Sequence, residues 1–292
     1  IHKEMIVSFN PINVDHWVKK RFAVEDSADG RAYSRRDDVY VLKTTYKDNK
    51  FIDEAYKKLL ESYKETDPYF YDVYTKGNWG VIGDNNVIVP YSLVYKAKDN
   101  VIESPEGQYG VGIDPARYGD DEAVIYIRKG LKTLKKLVYK KSDGFDLADG
   151  AQTLIDEFRT DQSIKVFCNI DITGIGSSCA DILKRRKLPN VYINEINFGG
   201  TETKDPDKHA NIVTEMYFNI KRLVPDMELL KNDEQMFTEL TRRQYTIKEG
   251  TSQYLAEKKV DFKKRIEKSP DNADAFALCH YVPGKVGRAA VK

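Results

Sequence analysis

The sequence has few of the residues that build covalent or metal-thiolate frameworks. It holds three cysteines in 292 residues, and none of them forms a C-x-x-C pair. This scarcity excludes a disulfide framework and a zinc knuckle, and it predicts reduced thiols. No apolar run approaches the roughly 18 residues that span a membrane, and no signal-peptide pattern is present. We therefore expect a cytosolic protein without a membrane segment.

An excess of charge of one sign is also lacking. Lys and Arg number 47 and Asp and Glu number 46, which gives a net charge of +1. A global field that would attract nucleic acid is excluded, so any basic surface must be local. Hydrophobic residues make up 41% of the chain and charged residues 32%, enough for a core beneath a very polar surface. At this length, one large or two modest domains are expected.

The first region of the chain covers residues 1–80. The chain starts at Ile1 rather than Met, and its opening EMIVSF is typical of an interior strand, so we expect a fragment of a longer protein. The hydrophobic pattern predicts strands at 5–9 and 39–46 and an amphipathic helix over 53–64.

The periodicity of residues 109–292 predicts an α/β domain, joined to the first region by a linker over 81–108 that mixes Gly, Asp, Asn and Pro. Three antiparallel strands come first, and helix, strand, helix and strand follow before a set of helices. That order predicts a sheet of mixed sense flanked by helices. The predicted strands cover 109–114, 122–129, 132–140, 166–171 and 191–196, and the predicted helices cover 147–159, 177–186, 209–222, 232–242 and a stretch from about 271.

Acidic residues follow two of the predicted buried strands. YGVGID ends on Asp114, with Asp120 a few residues behind it, and VFCNID ends on Asp171. Because open α/β sheets place ligand sites at the carboxyl ends of their strands, we expect Asp114 and Asp171 at one edge. Asp120 is expected to contact the same site directly or through another ligand. Each acid alone also fits a strand-to-turn residue, which is the alternative interpretation.

A third acidic pair lies near the end of the chain, in SPDNADAFALCHY. Asp271 and Asp274 are three residues apart, which places both carboxylates on one face of a first helical turn. Asp271 also fits an acid that satisfies the free amides and the dipole of its own helix. The two interpretations remain open for this residue.

Carboxylates from three separated elements favour a hard divalent cation, since oxygen ligands select Mg²⁺ or Mn²⁺. Two such ions ~3.5–4 Å apart, bridged by a shared carboxylate, activate water and stabilise the leaving oxygen in phosphodiester cleavage. The cations also offset the repulsion that otherwise raises the pKa of clustered acids. The hypothesis is a two-metal site with Asp114 as the bridging ligand.

Two basic runs are candidates for contact with DNA phosphates, with a solvated surface as the alternative. The run next to the acidic helix is favoured, and no base-reading motif accompanies either run, so binding independent of DNA sequence is expected. The candidates are Lys135 and Lys136 on the predicted hairpin and Lys258, Lys259, Lys263, Lys264 and Arg265 ahead of the last helix.

Taken together, GIDPARYGDDEAVI, NIDITGIGSSCADIL and SPDNADAFAL resemble the ribonuclease H-like nuclease domain of the large terminase subunit of tailed bacteriophages. VSFNPINVDHWVKKRF, VLKTTYKDNKFIDEAY and DPYFYDVYTKGNWG resemble the end of the ATPase domain in the same family, after the Walker motifs. The resemblance implies an endonuclease that cuts concatemeric double-stranded viral DNA. Its Mg²⁺ or Mn²⁺ ions would be held by Asp114, Asp171, and Asp271 or Asp274.

The resemblance also implies a partial P-loop-type ATPase segment in residues 1–80, in which Asn10 couples ATP hydrolysis to DNA movement. No G-x-x-x-x-G-K-[ST] occurs in the sequence, so ATP is expected to serve only the longer parent protein. The implied partners of that parent are a small terminase subunit and the procapsid portal, in the host cytoplasm. Two alternatives stay open: a non-catalytic DNA-gripping module of the motor, and a nuclease like the Holliday-junction resolvases.

Overall fold

The protein divides into two compact units, seen in a computed structural model. The first comprises residues 1–86 with 249–251, and the second comprises 87–248 with 252–292. The segment taken above as a linker contains a helix, Tyr91–Ala97, that belongs to the second unit. None of the described helices is both long enough and apolar enough to cross a membrane. The residues that the structure describes are 5–11, 17–27, 31–66, 70–79, 86–116 and 121–282.

Short elements make up the first unit: helix α1 (Trp17–Arg21), the antiparallel hairpin of β1 (Val24–Asp26) and β2 (Ala32–Ser34), and helix α2 (Glu54–Thr66). Helix α2 confirms the helix predicted over 53–64.

The strands predicted at 5–9 and 39–46 are wrong, because the described backbone there pairs with no other strand. Several apolar side chains in these stretches are exposed, including Ile6 at 94% and Tyr40 at 87%. An extended segment without a partner strand has no ladder of hydrogen bonds to hold it.

The second unit is built on a five-stranded mixed sheet, as the sequence predicts. Its strand order is β5-β4-β3-β6-β7. The first three strands are antiparallel neighbours, and β6 and β7 run parallel to β3. The strands are β3 (Tyr109–Asp114), β4 (Ala123–Lys129), β5 (Lys132–Tyr139), β6 (Val166–Asp171) and β7 (Val191–Ile196).

One face of this sheet packs against two helices. The helix Tyr91–Ala97 is α3. The two helices on this face of the sheet are α4 (Gly144–Phe158) and α5 (Gly176–Arg186). Their apolar stripes meet the side chains of alternate strand residues in one continuous core that excludes water. Members of that core include Val111, Ile113, Ile125, Cys168, Ile170, Leu147, Leu154 and Cys179.

The opposite face is covered by the last described helix, α9 (Asp271–His280), which packs on β3 and β4. All ten residues of this helix are buried, including its charged ones. Two further helices contact α9 from the outside, so it lies in the middle of a helical layer. The elements of this half are α6 (Ile212–Leu223), α7 (Glu234–Arg242), β8 (Tyr245–Ile247), β9 (Tyr254–Ala256), α8 (Lys259–Ile266) and α9 (Asp271–His280).

Two glycines in β3 let α9 lie directly on the sheet. A Cβ added to Gly110 would stand 2.3 Å from the carbonyl oxygen of Cys279, and one added to Gly112 would stand 2.2 Å from that of Ala275. Only a residue without a side chain fits at such an approach of two backbones. The alternation of glycine with apolar residues in YGVGID thus brings the first turn of α9 to the strand end that carries Asp114.

Candidate active site

Two carboxylates lie at one edge of the mixed sheet. Asp114 ends β3 and Asp171 ends β6, and the parallel register that pairs Ile113 with Ile170 brings both strand ends to the same side. Both aspartates are buried. Thr173 orients the second of them, donating from its backbone N to Asp171 Oδ1 at 3.1 Å and from its hydroxyl to Oδ2 at 2.6 Å.

Asp271 and Asp274 reach the same place from the first turn of α9, and both are buried. Asp271 Oδ2 accepts a hydrogen bond from the backbone N of Glu122 at 2.9 Å, and Asp274 Oδ1 accepts one from the Tyr217 hydroxyl at 2.7 Å. The N-cap position belongs to Pro270, which offers no side-chain acceptor. Asp271 is the first helical residue and its Oδ2 bonds to the residue ahead of β4, so its side chain does not cap the free amides of α9, although it lies as an acid in the first turn.

The ammonium of Lys259, at the start of α8, lies among three of these acids. Its Nζ is 3.1 Å from Asp114 Oδ2, 2.9 Å from Asp271 Oδ1 and 3.5 Å from Asp274 Oδ2. One position therefore exists where a single positive charge is surrounded by carboxylate oxygens from a strand end and a helix.

Burial raises the pKa of the Asp114 carboxyl well above its usual value; attraction to Lys259 opposes this, and repulsion from the neighbouring acids adds to it. Burial likewise raises the pKa of Asp171. Burial alone would lower the pKa of Lys259, but attraction to the three acids outweighs it, and the pKa is raised well above its usual value. The cluster is thus an environment that requires positive charge.

The donor set suits a divalent cation better than an ammonium. Within the described part of the chain, the buried oxygens Asp271 Oδ1 and Asp274 Oδ2 accept no hydrogen bond of good geometry. Across the same residues, no group of three or more Cys, His, Asp or Glu side chains is arranged to hold a metal ion as it stands. All the ligating atoms on offer are hard carboxylate oxygens, which fit Mg²⁺, Mn²⁺ or Ca²⁺.

An open cleft of about 330 Å³ gives access to the acids. Asp114, Asp171 and Asp274 line it, together with Lys258 and Arg243. The guanidinium of Arg243 is buried, and its Nη1 lies 4.0 Å from Asp274 Oδ1. The cleft thus combines an acidic floor with basic groups on its walls, a distribution that suits a phosphodiester approaching bound cations.

The basic residues singled out from the sequence lie in different surroundings. The run before α9 forms the end of a loop and helix α8, in which Lys258 lines the cleft and Lys259 joins the acids. Three others of that run are in exposed or half-buried ion pairs: Lys263 with Asp121, Lys264 with Asp261, and Arg265 with Glu257.

On β5, Lys135 pairs with Glu157, whereas Lys136 is mostly buried and bonds to Asp233 and Asn272. Asn10 is exposed in the described stretch 5–11. Asp120 lies outside the described residues.

Sequence reasoning missed three residues that shape the site, namely Arg243, Tyr217 and Thr173. Thr173 carried a signal, because a hydroxyl two residues after an aspartate is a recurrent local hydrogen-bonding pattern. Tyr217 and Arg243 carried none, since each comes from a distant element and meets Asp274 only through tertiary packing.

Comparison with known proteins gives matches over both parts of the chain. Residues 1–78 match the sequence profile of the family described as the phage terminase large subunit. The PBSX phage terminase large subunit of Bacillus subtilis (strain 168) is 36% identical over 92 residues, which are 27% of this chain and 21% of that protein. The matched region thus spans about a fifth of the curated relative. These matches confirm the resemblance to large terminase subunits drawn from the sequence.

The fold of the second unit has solved counterparts. The nuclease domain of the large terminase subunit gp2 of bacterial virus Sf6 superposes with a TM-score of 0.57 at 18% identity, covering 68% of this chain and all of that one. A lysine-to-alanine variant of the same domain with manganese and beta-thujaplicinol superposes at 0.58 with 17% identity and the same coverage. These likenesses confirm the ribonuclease H-like fold.

Proposed function

We propose that the second unit is a metal-dependent DNA endonuclease of a viral genome-packaging motor, cutting concatemeric double-stranded DNA by two-metal phosphodiester hydrolysis. The observation that carries the proposal is the meeting of four buried carboxylates. Asp114, Asp171 and Asp274 line one cleft, and Asp271 joins Asp114 and Asp274 around the ammonium of Lys259. Four acids without a cation would repel one another at neutral pH, so bringing them together destabilises the folded protein, and folding alone does not require it. The fold and the match of residues 1–78 to terminases support this choice of reaction.

The cations would be held by Asp114, Asp171, Asp271 and Asp274, and Asp120 remains a predicted contributor. When bound, a pair of divalent ions supplies the activation of water and the stabilisation of the leaving oxygen. Mg²⁺ and Mn²⁺ are the proposed ions. A lysine-to-alanine variant of the Sf6 nuclease domain has been solved with manganese and with calcium, which supports a divalent-cation site in this fold.

The chain's own side chains would orient the ligands. The Tyr217 hydroxyl holds Asp274 Oδ1, which leaves Oδ2 directed at the position that Lys259 occupies. Thr173 orients Asp171 by donating to both of its carboxylate oxygens. Lys259 balances the acids while no cation is bound, so cation binding requires its ammonium to move out of the cluster.

Phosphates of DNA would be positioned by the cleft wall. Lys258 lines the cleft, and Lys263 and Lys264 lie on the exposed helix α8 that starts beside the acids. Contacts of this kind fix a duplex without reading its bases. Lys135 on β5 remains a candidate for DNA contact. Lys136 is left out of the proposed surface, because its ammonium donates hydrogen bonds to Asp233 and Asn272.

The proposed setting is the packaging motor of a tailed phage in the host cytoplasm. Residues 1–78, which match the terminase family, would be the end of a motor domain in which Asn10 couples ATP hydrolysis to DNA movement. ATP, the small terminase subunit and the procapsid portal would be partners of the whole protein. The sequence has no Walker A motif, so this chain on its own is expected to hydrolyse no ATP.

A second candidate is a non-catalytic DNA-gripping module. The observation favouring it is that the ammonium of Lys259 already contacts three of the acids, so part of their negative charge is offset without metal. The two candidates differ in one measurable respect, which is cleavage that depends on divalent cations.

The experiment uses supercoiled plasmid with the purified chain in Mn²⁺, Mg²⁺, Ca²⁺ or EDTA. We expect nicking and linearisation in Mn²⁺ and Mg²⁺, none in EDTA, and none in Ca²⁺, which binds carboxylates without supporting the reaction. Asp114→Asn and Asp171→Asn should abolish cutting. Asp181→Asn, an exposed acid on α5, is the matched control and should cut like wild type. Shifting of DNA in a gel without cutting in any metal would favour the gripping module, and a strong preference for four-way junctions would favour a resolvase.

A further inference from the structure

Another buried acid, Glu239 on α7, contacts the first turn of α9. Its Oε2 accepts a hydrogen bond from the backbone N of Ala273 at 2.9 Å. Its Oε1 accepts from Asn272 Nδ2 at 3.1 Å and from Gln235 Nε2 at 2.9 Å. Three donors therefore converge on one carboxylate, and two of them belong to the two residues between Asp271 and Asp274.

Helix α9 depends on this outside acceptor because it has no cap of its own. The first amides of any helix lack intrahelical partners, and Pro270 at the N-cap position supplies no side-chain oxygen. Glu239 fills that role from the neighbouring helix. Its negative charge also lies at the positive end of the α9 dipole, which favours the same placement.

Asn272 connects this cap to the rest of the unit. Its Oδ1 accepts from Lys136 Nζ at 3.0 Å, and Lys136 is paired with Asp233, the residue that caps α7. Helix α7 therefore holds the first turn of α9 through Glu239 at one point and through Asp233 and Lys136 at another.

The same network reaches the sheet. Gln235 donates to Glu122 Oε2 at 3.1 Å as well as to Glu239, and the backbone N of Glu122 donates to Asp271. Glu122 thus holds Asp271 through its backbone N, and its own carboxylate is linked to Glu239 by the side-chain amide of Gln235. Neither Glu239 nor Gln235 is among the residues that line the cleft.

We propose that Glu239 is a positioning residue: by capping α9 from α7, it sets the direction in which Asp271 and Asp274 present their inner oxygens to a divalent cation. The inference rests on the proposed function, because it assigns Glu239 a role toward the cations of that site. Partners that orient metal ligands from outside typically contribute 10–100-fold in metal affinity or activity, which is roughly the effect expected here.

The test measures Mn²⁺ binding directly, by the electron paramagnetic resonance signal of free Mn²⁺, in the whole chain without DNA. It is run at about pH 8, above the pKa of Glu239, which burial raises to about 7. Glu239→Ala removes all three acceptor contacts and should weaken Mn²⁺ binding roughly 10–100-fold. Glu239→Gln keeps one oxygen for Ala273 and should weaken it less. In plasmid cutting, the Mn²⁺ concentration that gives half the maximal rate should be highest for Glu239→Ala, intermediate for Glu239→Gln and lowest for wild type. At saturating Mn²⁺ both variants should largely recover the wild-type rate.

Glu228→Gln is the matched control, since Glu228 is another shielded carboxylate with an ion pair, to Lys132 at the far end of β5. It should lower the melting temperature and leave Mn²⁺ affinity unchanged. If Glu239→Ala folds and binds Mn²⁺ with wild-type affinity, the inference is overturned while the nuclease proposal stands. If the alanine variant does not fold, wild-type affinity in Glu239→Gln has the same consequence. A wild-type chain that neither binds Mn²⁺ nor cuts overturns both.

Discussion

The ammonium of Lys259 lies 3.1 Å from Asp114 Oδ2, although the two residues are 145 positions apart in the chain. The lysine places a positive charge among three acids that would otherwise repel one another. It stands where the proposed function requires a cation. Lysine and metal therefore compete for the same oxygens, and the competition can be measured.

Lys259→Ala should destabilise the metal-free protein and strengthen its binding of Mn²⁺. Removing one partner of a fully buried ion pair costs about 3–5 kcal/mol; because the Lys259 side chain is 38% exposed, a smaller loss of about 2 kcal/mol is expected. Mn²⁺ should then raise the melting temperature of the variant by more than that of wild type. Thermal unfolding with and without Mn²⁺ checks both statements.

Lys263→Ala is the control for this comparison, because Lys263 lies on the same helix as Lys259 but pairs with Asp121, which is not one of the four acids. Its response to Mn²⁺ should equal that of wild type. An equal response in Lys259→Ala would show that the lysine and the cation do not share a position.

The stability of the metal-free protein should fall as pH rises from about 4 to about 7. Burial raises the pKa of Asp114 and Asp171, and it raises the pKa of Glu239 to about 7. In the unfolded chain such groups titrate near 4, so between the two values the unfolded state releases protons that the folded state keeps. The stabilising contribution is therefore complete below about pH 4 and is lost as pH rises through the folded pKa values.

Urea denaturation at several pH values, in EDTA and in Mn²⁺, tests this dependence. Mn²⁺ should reverse the loss at the upper end, because cations bind the deprotonated carboxylates. The Asp171→Asn variant should show a shallower slope than wild type in EDTA. A metal-free stability that climbs over this interval would contradict the raised pKa values.

Much of the second unit could be predicted because its local patterns agree with its tertiary structure. The strands that end on Asp114 and Asp171 were predicted with the bounds that the structure has, since each is a short apolar run closed by a turn signal. The meeting of those two acids followed from a general property of α/β sheets rather than from any local feature.

The other elements and the position of Lys259 depend on tertiary contacts that produce no hydrophobic periodicity in the sequence. Hairpin β8–β9 has three residues in each strand, too few to show alternation, and α3 fell in a stretch that reads as a connector. The position of Lys259 among the acids could not be predicted, because a lysine in a basic run gives no sign of pointing inward. The strands expected at 5–9 and 39–46 fail for a related reason: an apolar run becomes a strand only where a partner pairs with it.

The glycines of β3 should tolerate no side chain. In Gly112→Ala the new Cβ would lie 2.2 Å from backbone atoms of Ala275 and Cys279, which cannot move without displacing α9. Overpacking of this kind costs about 3 kcal/mol of unfolding free energy, and the displaced helix should also bind Mn²⁺ more weakly. Denaturant unfolding and the Mn²⁺ titration measure the two effects.

Gly199→Ala provides the comparison, because an added Cβ there would meet only the side-chain oxygen of Asn197, at 3.3 Å. Its stability should stay within about 0.5 kcal/mol of wild type. A Gly112→Ala protein as stable as this control would mean that α9 lies farther from the sheet than the structure shows.

The two acids of α9 should prove equally necessary for cutting. Asp271→Asn keeps an oxygen for the Glu122 amide, and Asp274→Asn keeps one for the Tyr217 hydroxyl, so each variant preserves its outer hydrogen bond. Each loses the charge on the oxygen that faces the cation position, and a neutral amide is a poor ligand for a hard dication. We expect both variants to lose at least about 100-fold in plasmid nicking at saturating Mn²⁺. Asp261→Asn, which alters an exposed acid on α8, should nick normally. Near-normal nicking by one of the pair would remove that residue from the site, and the other would then be the single ligand that α9 provides.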